Sequence, residues 1–351
     1  LAIYLGWKLH GFRGGLVAGL GFIGPAIVLL LGLSWLYASF GHLPAATGLL
    51  LGLKAAVLAL VLQALLRIGR RALGSTLHVA LAVAAFVALE VLGVPFPLIV
   101  LAAGAIGLAA AWRAPRPAAT VQPSPGATAP LRVLLVGLVL WLVPLLAVAL
   151  TLGPQSLWSR LYVFFTQAAL VTFGGAYAVL GYVTQHLVQD LGWLTAEQSV
   201  AGLALAETTP GPLVIVLQFM GFMAGWNQPG ALDPAVSAVI AALLASWATF
   251  LPSFVFIFLG APYVERITRA PRISAALAAI TAAVVGIIAT LALLLARVVL
   301  VPDGWQGGIV WAALAIAVAV WWMLERTKLE LHWALVAAAL AGLAVQGLGW
   351  T

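Results

Sequence analysis

Residues 203–222 read LALAETTPGPLVIVLQFMGF, in which one carboxylate, two threonines and a Pro-Gly-Pro interrupt an apolar run. A proline removes a backbone donor and clashes with the preceding turn of a helix. The segment TTPGP (208–212) is therefore predicted to end one helix and begin another. Broken backbone cannot face lipid, so within a membrane we expect this break to be buried in protein or to line a water-filled cavity.

The rest of the chain has the composition of a membrane protein. It is 64% hydrophobic and 7% charged, with a mean hydropathy of +1.17, whereas soluble domains are about 25% charged. The runs at 15–40, 131–152, 233–262 and 305–324 reach the ~20 residues that a helix needs to cross ~30 Å of hydrocarbon. No ~10-residue alternation typical of a barrel is present. We predict an all-α, polytopic integral membrane protein with broken or re-entrant helices.

The charged and sulfur-containing residues exclude several kinds of chemistry. The chain has no cysteine, so it forms no disulfide or thiolate metal site. The net charge of +7 comes from Lys and Arg at the ends of apolar runs, where the positive-inside rule places them. We therefore expect a lipid bilayer rather than nucleic acid as the partner of this basic chain.

Two segments of the chain, 24–61 and 251–288, are copies of each other at a constant offset of 227 residues. The alignment superimposes two prolines and a Lys/Thr-Ala-Ala-Val block, and a short match upstream extends it. These equivalences are Pro25 with Pro252, Pro44 with Pro271, 54–57 with 281–284, and 4–7 with 219–222. We predict a first repeat at 1–112, lacking its N-terminal part, a Pro-rich linker at 113–130, and a second repeat at 131–351.

Basic residues predict opposite orientations for the two copies. The connecting loop of the first copy has no Lys or Arg, whereas that of the second copy, ERITRAPR (265–272), has three arginines. If basic loops stay in the cytoplasm, the copies are inverted, as in many secondary transporters. A tandem duplication with charges placed by chance is the alternative.

Two breaks in helical sequence are candidates for one binding site. The first is the glycine motif within VTFGGAYAVLGYV (171–183), and the second is the TTPGP break. A helix that begins at such a break offers free N–H groups and a positive dipole end, which bind anions. Pro210 and Pro212 suit the first turn of the next helix, and Thr208 or Thr209 could cap it. The candidate residues are Thr172, Phe173, Gly174, Gly175, Thr208, Thr209, Pro210, Gly211 and Pro212; close helix packing is the alternative for the glycines.

Three polar residues lie within apolar runs. Glu207 is costly at membrane depth and is predicted to couple transport to protons, the alternative being an inert, paired residue near an interface. Lys54 lies mid-span, too far from either end to reach water, so it needs an internal partner. That partner is predicted to be an anionic substrate, Glu207 or Glu90, in a binding role or in a structural ion pair. Gln218 is a weaker polar candidate for substrate binding.

The sequence resembles the chromate ion transporter family in its long, two-repeat form. The resemblance rests on FGGAYAVLGYV (173–183), GLALAETTPGPLVIVLQFMGFMAGWNQPG (202–230) and FLGAPYVERI (258–267), and it extends over 1–19, 52–73 and 274–288. It places the family's glycine motif at 173–175, its TPGP motif at 209–212 and its intramembrane lysine at Lys54. The family's own first glycine motif and Pro-Gly-Pro would lie before Leu1.

The resemblance implies a multi-pass protein of the bacterial plasma membrane that exports chromate, with the proton gradient as driving force. A tetrahedral dianion suits backbone amides, hydroxyls and cations without any cofactor. A carrier for sulfate or another small anion is the alternative within this class. A membrane-embedded enzyme and a channel are the alternatives from other classes, and we expect no enzymatic activity. The oligomeric state is left open, with a homodimer as one option.

Overall fold

The computed structural model describes residues 1–112, 130–171, 176–263, 270–304, 306–327 and 329–349. Within these ranges it contains thirteen α-helices and no β-strand. The predicted linker lies almost entirely outside the described residues. The helices are α1 (Ala2–Phe40), α2 (Pro44–Ala72), α3 (Thr76–Glu90), α4 (Phe96–Ala110), α5 (Pro130–Thr151), α6 (Leu157–Val171), α7 (Ala176–Gln185), α8 (Ala196–Thr208), α9 (Val216–Asn227), α10 (Pro234–Gly260), α11 (Pro271–Leu300), α12 (Trp311–Arg326) and α13 (Leu331–Gly347).

Five of the described helices, α1, α2, α5, α10 and α11, are long and apolar enough to cross a membrane. This confirms the prediction of an all-α polytopic membrane protein. The predicted span at 305–324 is only partly right, because α12 begins at Trp311 and has 16 residues. At 1.5 Å per residue it is about 24 Å long, shorter than a ~30 Å hydrocarbon core.

The first helix folds back on itself. His10 and Gly11 leave helical geometry, so residues 2–9 pack antiparallel against the long arm of α1, residues 12–40. Gly6 lies against Gly14 and Ala18 in this contact. Gly6 corresponds to Gly221 at an offset of 215 residues, and Gly14 and Ala18 correspond to Ala241 and Ala245 at an offset of 227. Gly221 of α9 makes the same contact with Ala241 and Ala245 of α10. The segments that precede residues 24 and 251 therefore also pack in equivalent ways.

The two repeats exchange their last helices. The hairpin of α3 and α4 packs on α11, and the hairpin of α12 and α13 packs on α2. In the first contact Gly107 of α4 lies against Ala275 and Ala279 of α11. In the second, Gly342 of α13 lies against Gly48 and Gly52, which are the equivalents of Ala275 and Ala279. The starts of α3 and α4 match those of α12 and α13 at an offset of 235, so the repeat continues beyond the segments that sequence comparison revealed.

Equivalent helices of the two repeats pack antiparallel. Along α1 and α10, Gly15 lies against Phe258 and Gly19 against Phe254, so the two chains run in opposite directions. Along α2 and α11, Lys54 shares a cavity with Val298 while Gly69 approaches Val285. Antiparallel packing of equivalent elements is what a two-fold axis in the membrane plane requires. We therefore propose that the halves are inverted repeats.

Most of the basic residues that the structure describes lie at one end of the helix bundle. This end contains the reversal in α1, the C-termini of α2, α4 and α10, and the N-termini of α5 and α11. By the positive-inside rule we assign it to the cytoplasm, and we call the opposite end outer. The described basic residues of the cytoplasmic end include Lys8, Arg13, Arg70, Arg71, Arg132 and Arg272.

The inverted arrangement predicts opposite labelling of equivalent positions. Leu43 and Ala270 are the N-caps of α2 and α11 and are related by the 227-residue offset. Because the natural chain has no cysteine, each can be replaced singly by cysteine. In intact cells a membrane-impermeant maleimide is expected to label Leu43→Cys, and to label Ala270→Cys only after the membrane is permeabilised. Labelling of both from the same side would contradict the inversion.

Candidate functional site

Helices α8 and α9 form a re-entrant hairpin. A capping box at Thr195 and Gln198 starts α8, with Thr195 Oγ1 accepting the Gln198 N–H at 3.1 Å. Asn227, at the end of α9, donates from Nδ2 to Gln198 Oε1 at 2.9 Å. The start of α8 and the end of α9 therefore lie at the same end of the bundle. The 13 residues of α8 extend about 20 Å and cannot cross the membrane alone. The predicted break is therefore the tip of a hairpin.

The threonines at the tip cap the first helix and not the second. Thr208 Oγ1 and Thr209 Oγ1 both donate to the Leu205 carbonyl, at 2.7 and 2.9 Å. The prediction that either one caps the following helix is wrong. Pro210 and Pro212 also precede that helix, since Pro212 is the N-cap of a 3-10 turn at Leu213–Ile215 that leads into α9.

The amides that follow Pro212 are the electropositive part of the tip. Ile215 donates the first hydrogen bond of the turn, to the Pro212 carbonyl at 2.9 Å. The N–H groups of Leu213 and Val214 precede that bond, so they have no partner of their own within the helix. These two amides can bind an anion, as the sequence predicted for a helix that begins at this break.

The tip packs against the middle of α1. A Cβ atom on Gly211 would lie 2.6 Å from the Cβ of Ala26, which is fully buried. Ala26 lies fourteen residues from either end of the long arm, residues 12–40. Gly211 also has a φ of 153°, which side-chain-bearing residues rarely adopt. The position needs glycine for both reasons, and it lies deep between the helix ends.

Helices α6 and α7 form a second hairpin beside the first. The Phe164 ring lies 5.8 Å from the Tyr182 ring and 4.8 Å from the His186 ring, so the two helices are antiparallel. Arg160 at the base of α6 lies over Trp193, whose carbonyl accepts a hydrogen bond from Asn227. The bases of both hairpins therefore meet at the outer end. The predicted site residues Thr172, Phe173, Gly174 and Gly175 connect α6 to α7 and lie outside the described residues.

The two hairpins are joined near their tips by a hydrogen bond. Tyr177, in the first turn of α7, donates its hydroxyl to Glu207 Oε1 at 2.7 Å. Glu207 precedes the TTPGP break by one residue and is half-buried. Arg67 of α2 is close enough to interact electrostatically with Tyr177. The 3-10 turn that contains Leu213 and Val214 contacts both α7 and α8. We call the group formed by Glu207, Tyr177, Arg67 and the amides of Leu213 and Val214 the tip site.

Lys54 does not belong to the tip site. Its Nζ lies 2.6 Å from Oε1 of Glu197, in the first turn of α8. The two predicted carboxylate partners are wrong, because Glu207 binds Tyr177 and Glu90 pairs with Arg297 at 3.0 Å. Glu197 is ten residues before Glu207, about 15 Å along α8. The structure therefore separates two polar regions that the sequence prediction combined.

Gln218 is occupied by bonds within the protein. Its Nε2 donates to the Ile27 carbonyl at 2.8 Å, and its Oε1 accepts from Ser246 Oγ at 3.2 Å. The side chain is only 1% exposed. In this conformation Gln218 joins α9 to α1 and α10, and its predicted contact with substrate would require these bonds to break.

Sequence reasoning missed three residues that the structure brings to these regions. Tyr177 lies within the quoted glycine-rich stretch, and Glu197 lies within a Thr-x-x-Gln capping signature, so a local signal existed for both. Arg67 lies near the end of an apolar run, where the sequence indicates only a role in topology for Lys and Arg. None of the three pairings could be predicted, because each joins helices that are distant in sequence.

Comparison with known proteins identifies the family. A sequence profile described as Chromate transporter matches residues 1–108 and 159–343, which is most of the chain and includes parts of both repeats. The chain belongs to the chromate transporter family. Together with the apolar helices, this membership establishes a multi-pass bacterial membrane protein related to oxyanion transporters.

Several curated relatives of this family are similar along most of the chain. A chromate transport protein of Pseudomonas aeruginosa is 32% identical, over 97% of this chain and 77% of its own length. A chromate transport protein of Cupriavidus metallidurans is 29% identical, over 98% and 78% respectively. A probable chromate transport protein of Synechococcus elongatus is 29% identical, over 85% and 70%. No solved structure matched the chain.

The close approach of Gly211 to Ala26 yields a test of the tip geometry. Gly211→Ala is expected to destabilise the fold by about 1–3 kcal/mol, because its methyl overlaps Ala26 and its backbone is strained. The measurement is thermal unfolding of the purified protein. Gly21→Ala is the control, since no atom lies within 4 Å of a Cβ at that position. Equal stability of both variants would contradict the seating of the tip against α1.

Proposed function

We propose that the chain is a secondary carrier that exports chromate and binds it at the tip site. The observation that supports this most strongly is the meeting of two hairpins at Tyr177 and Glu207, near a helix break, in a chain of the chromate transporter family. Sulfate, a dianion of similar shape, is the alternative substrate. Transport of an oxyanion requires only that the anion be bound and released, which favours a carrier over an enzyme.

The tip site offers donors suited to an oxyanion. The amides of Leu213 and Val214 point out of a helix start, and the Arg67 guanidinium can bind two oxygens at once. The Tyr177 hydroxyl is a third donor when it leaves Glu207. The hydroxyls of Thr208 and Thr209 already donate to Leu205, so we assign them a structural role in this conformation.

Glu207 would link anion binding to protons. An ionised carboxylate about 6 Å from a dianion would repel it by roughly 5 kcal/mol at an effective dielectric constant of about 20. Protonation removes this repulsion and also weakens the hold of Glu207 on the Tyr177 hydroxyl. The proton and the dianion are therefore expected to bind together.

Joint binding of a proton and the dianion determines the driving force that we propose. One proton and one dianion together carry a net charge of −1. A negative interior potential drives that charge outward, by about 2.3 kcal/mol per 100 mV. The sequence-based expectation assigned the driving force to the proton gradient. We propose instead that the membrane potential drives export, with a proton accompanying the anion.

Replacement of Glu207 by glutamine tests the proposed proton link. In the parent protein, oxyanion affinity is expected to fall at least ~10-fold from mildly acidic to mildly alkaline pH, because Glu207 ionises beside the anion. Glu207→Gln is expected to bind with the same affinity across this range, at the acidic value of the parent. The measurement is titration calorimetry in nanodiscs with chromate and with sulfate, whose charge is constant in this range.

Glu90→Gln is the matched control for this experiment, because Glu90 is paired with Arg297 away from the tip site. It is expected to keep the pH dependence of the parent. A pH dependence that survives in Glu207→Gln would exclude Glu207 as the coupling residue. If the parent protein catalyses no chromate uptake into inverted vesicles, the proposed function itself is overturned.

Arg67 provides a second test of the tip site. Arg67→Gln is expected to weaken oxyanion binding about 5- to 10-fold, because a charge-assisted pair of hydrogen bonds is lost. Arg70→Gln is the control, since both arginines are exposed on α2 and Arg67 is the one of the two that interacts electrostatically with Tyr177. The measurement is the same calorimetric titration at acidic pH. Equal weakening in both variants would indicate a general surface-charge effect.

A further inference from the structure

A polar cavity of about 510 Å³ lies near the outer end of the bundle. We call it the outer vestibule. It lies between the N-terminal part of α2, the ends of α1, α9, α11 and α13, and the first turn of α8. The tip site lies at the opposite end of α8. The polar residues that matter here are Tyr37, His42, Lys54, Glu197, Asn227 and Gln346.

The vestibule contains one cation and one carboxylate. Among its described lining residues, Lys54 is the sole Lys or Arg and Glu197 the sole Asp or Glu. Their contact of 2.6 Å uses one of the three donors on the ammonium group. Tyr37 and Gln346 line the same space and can donate to an oxygen beside Lys54.

The two partners of this ion pair differ in exposure. The Lys54 side chain is 12% exposed, whereas the Glu197 side chain is 70% exposed. Lys54 is therefore held in place by the protein, and Glu197 reaches it from solvent. A pair with so exposed a partner is weak, so an anion that brings more charge can displace Glu197.

We propose that the outer vestibule is a second oxyanion site, in which Lys54 binds the anion and Glu197 is a built-in competitor for the same ammonium group. The proposal rests on the proposed function for its class of substrate, a tetrahedral dianion. Glu197 occupies the position of the anion when the vestibule is empty. Its carboxylate keeps the site weak enough for release, which a transport pathway requires.

Glu197 is also anchored through its backbone. It lies in the first turn of α8, where the helix dipole favours negative charge. The neighbouring capping box at Thr195 and Gln198 holds that turn in place. The backbone of Glu197 is therefore held in place, whereas its side chain is exposed to solvent.

The test uses a local probe, because the tip site would also bind the anion. Ala38 lines the vestibule, and Ala38→Cys can carry a trifluoromethyl label in this chain without cysteine. Sulfate and chromate are titrated against the labelled protein in nanodiscs, and the fluorine NMR shift reports occupancy. Glu197→Gln is expected to bind sulfate about two- to fivefold more tightly than the parent. That factor corresponds to about 0.4–1 kcal/mol at 1.4 kcal/mol per tenfold.

Two further variants complete the experiment. Lys54→Gln is made in the Glu197→Gln background, which avoids leaving an unpaired buried charge. Its affinity for sulfate at the labelled site is expected to be at least ~10-fold weaker than that of Glu197→Gln alone. Glu90→Gln, which breaks a different ion pair, is expected to match the parent. Unchanged or weaker binding in Glu197→Gln would overturn the proposal, as would a response that survives the loss of Lys54.

The two proposals fail in different ways. If Glu197→Gln has no effect while Glu207→Gln still removes the pH dependence, only the outer vestibule is refuted. If the parent does not transport chromate, the proposed function falls, and the sulfate titration still decides whether Glu197 competes with an anion at Lys54.

Discussion

Backbone amides and carbonyls at a helix break cannot be left in contact with lipid, and the architecture follows from that constraint. The break at 208–212 is the tip of a hairpin, so it must be enclosed by other helices. Its first helix ends with both threonine hydroxyls on the Leu205 carbonyl. Its glycine lies against Ala26 in the middle of α1, and its carboxylate accepts the hydroxyl of Tyr177 from the neighbouring hairpin.

Small residues make this enclosure possible and connect the two repeats. Gly6 and Gly221 occupy equivalent places, and so do Gly107 and Gly342, each against a backbone that a side chain would displace. Because the last helices of each repeat pack on the other repeat, neither half forms a separate bundle. Helix pairs in membranes rely on such close packing, since lipid removes the hydrophobic drive for association.

Local chemistry made the helical spans and the break predictable from the sequence, and it also underlies the two-fold repeat that we propose. Prolines, glycines and apolar length act within a few residues, and the offset of 227 residues preserved Pro44 and Pro271 at the starts of α2 and α11. The partners of the charged residues were not predictable in the same way. Lys54 and Glu197 are 143 residues apart, and hairpin geometry alone places Glu197 beside Lys54 and Glu207 about 15 Å away. The result is two polar regions along α8, where the sequence had indicated one.

The meeting of the two hairpins at Tyr177 and Glu207 is the central claim, and chemical cross-linking tests it most directly. The chain has no cysteine, so Tyr177→Cys with Glu207→Cys provides a unique pair for a short bifunctional thiol reagent. An intramolecular cross-link is expected in membranes for that pair, and none is expected for Tyr177→Cys with Glu197→Cys, because Glu197 lies about 15 Å from Glu207 along α8. The absence of the first cross-link, or equal yields for both pairs, would contradict it.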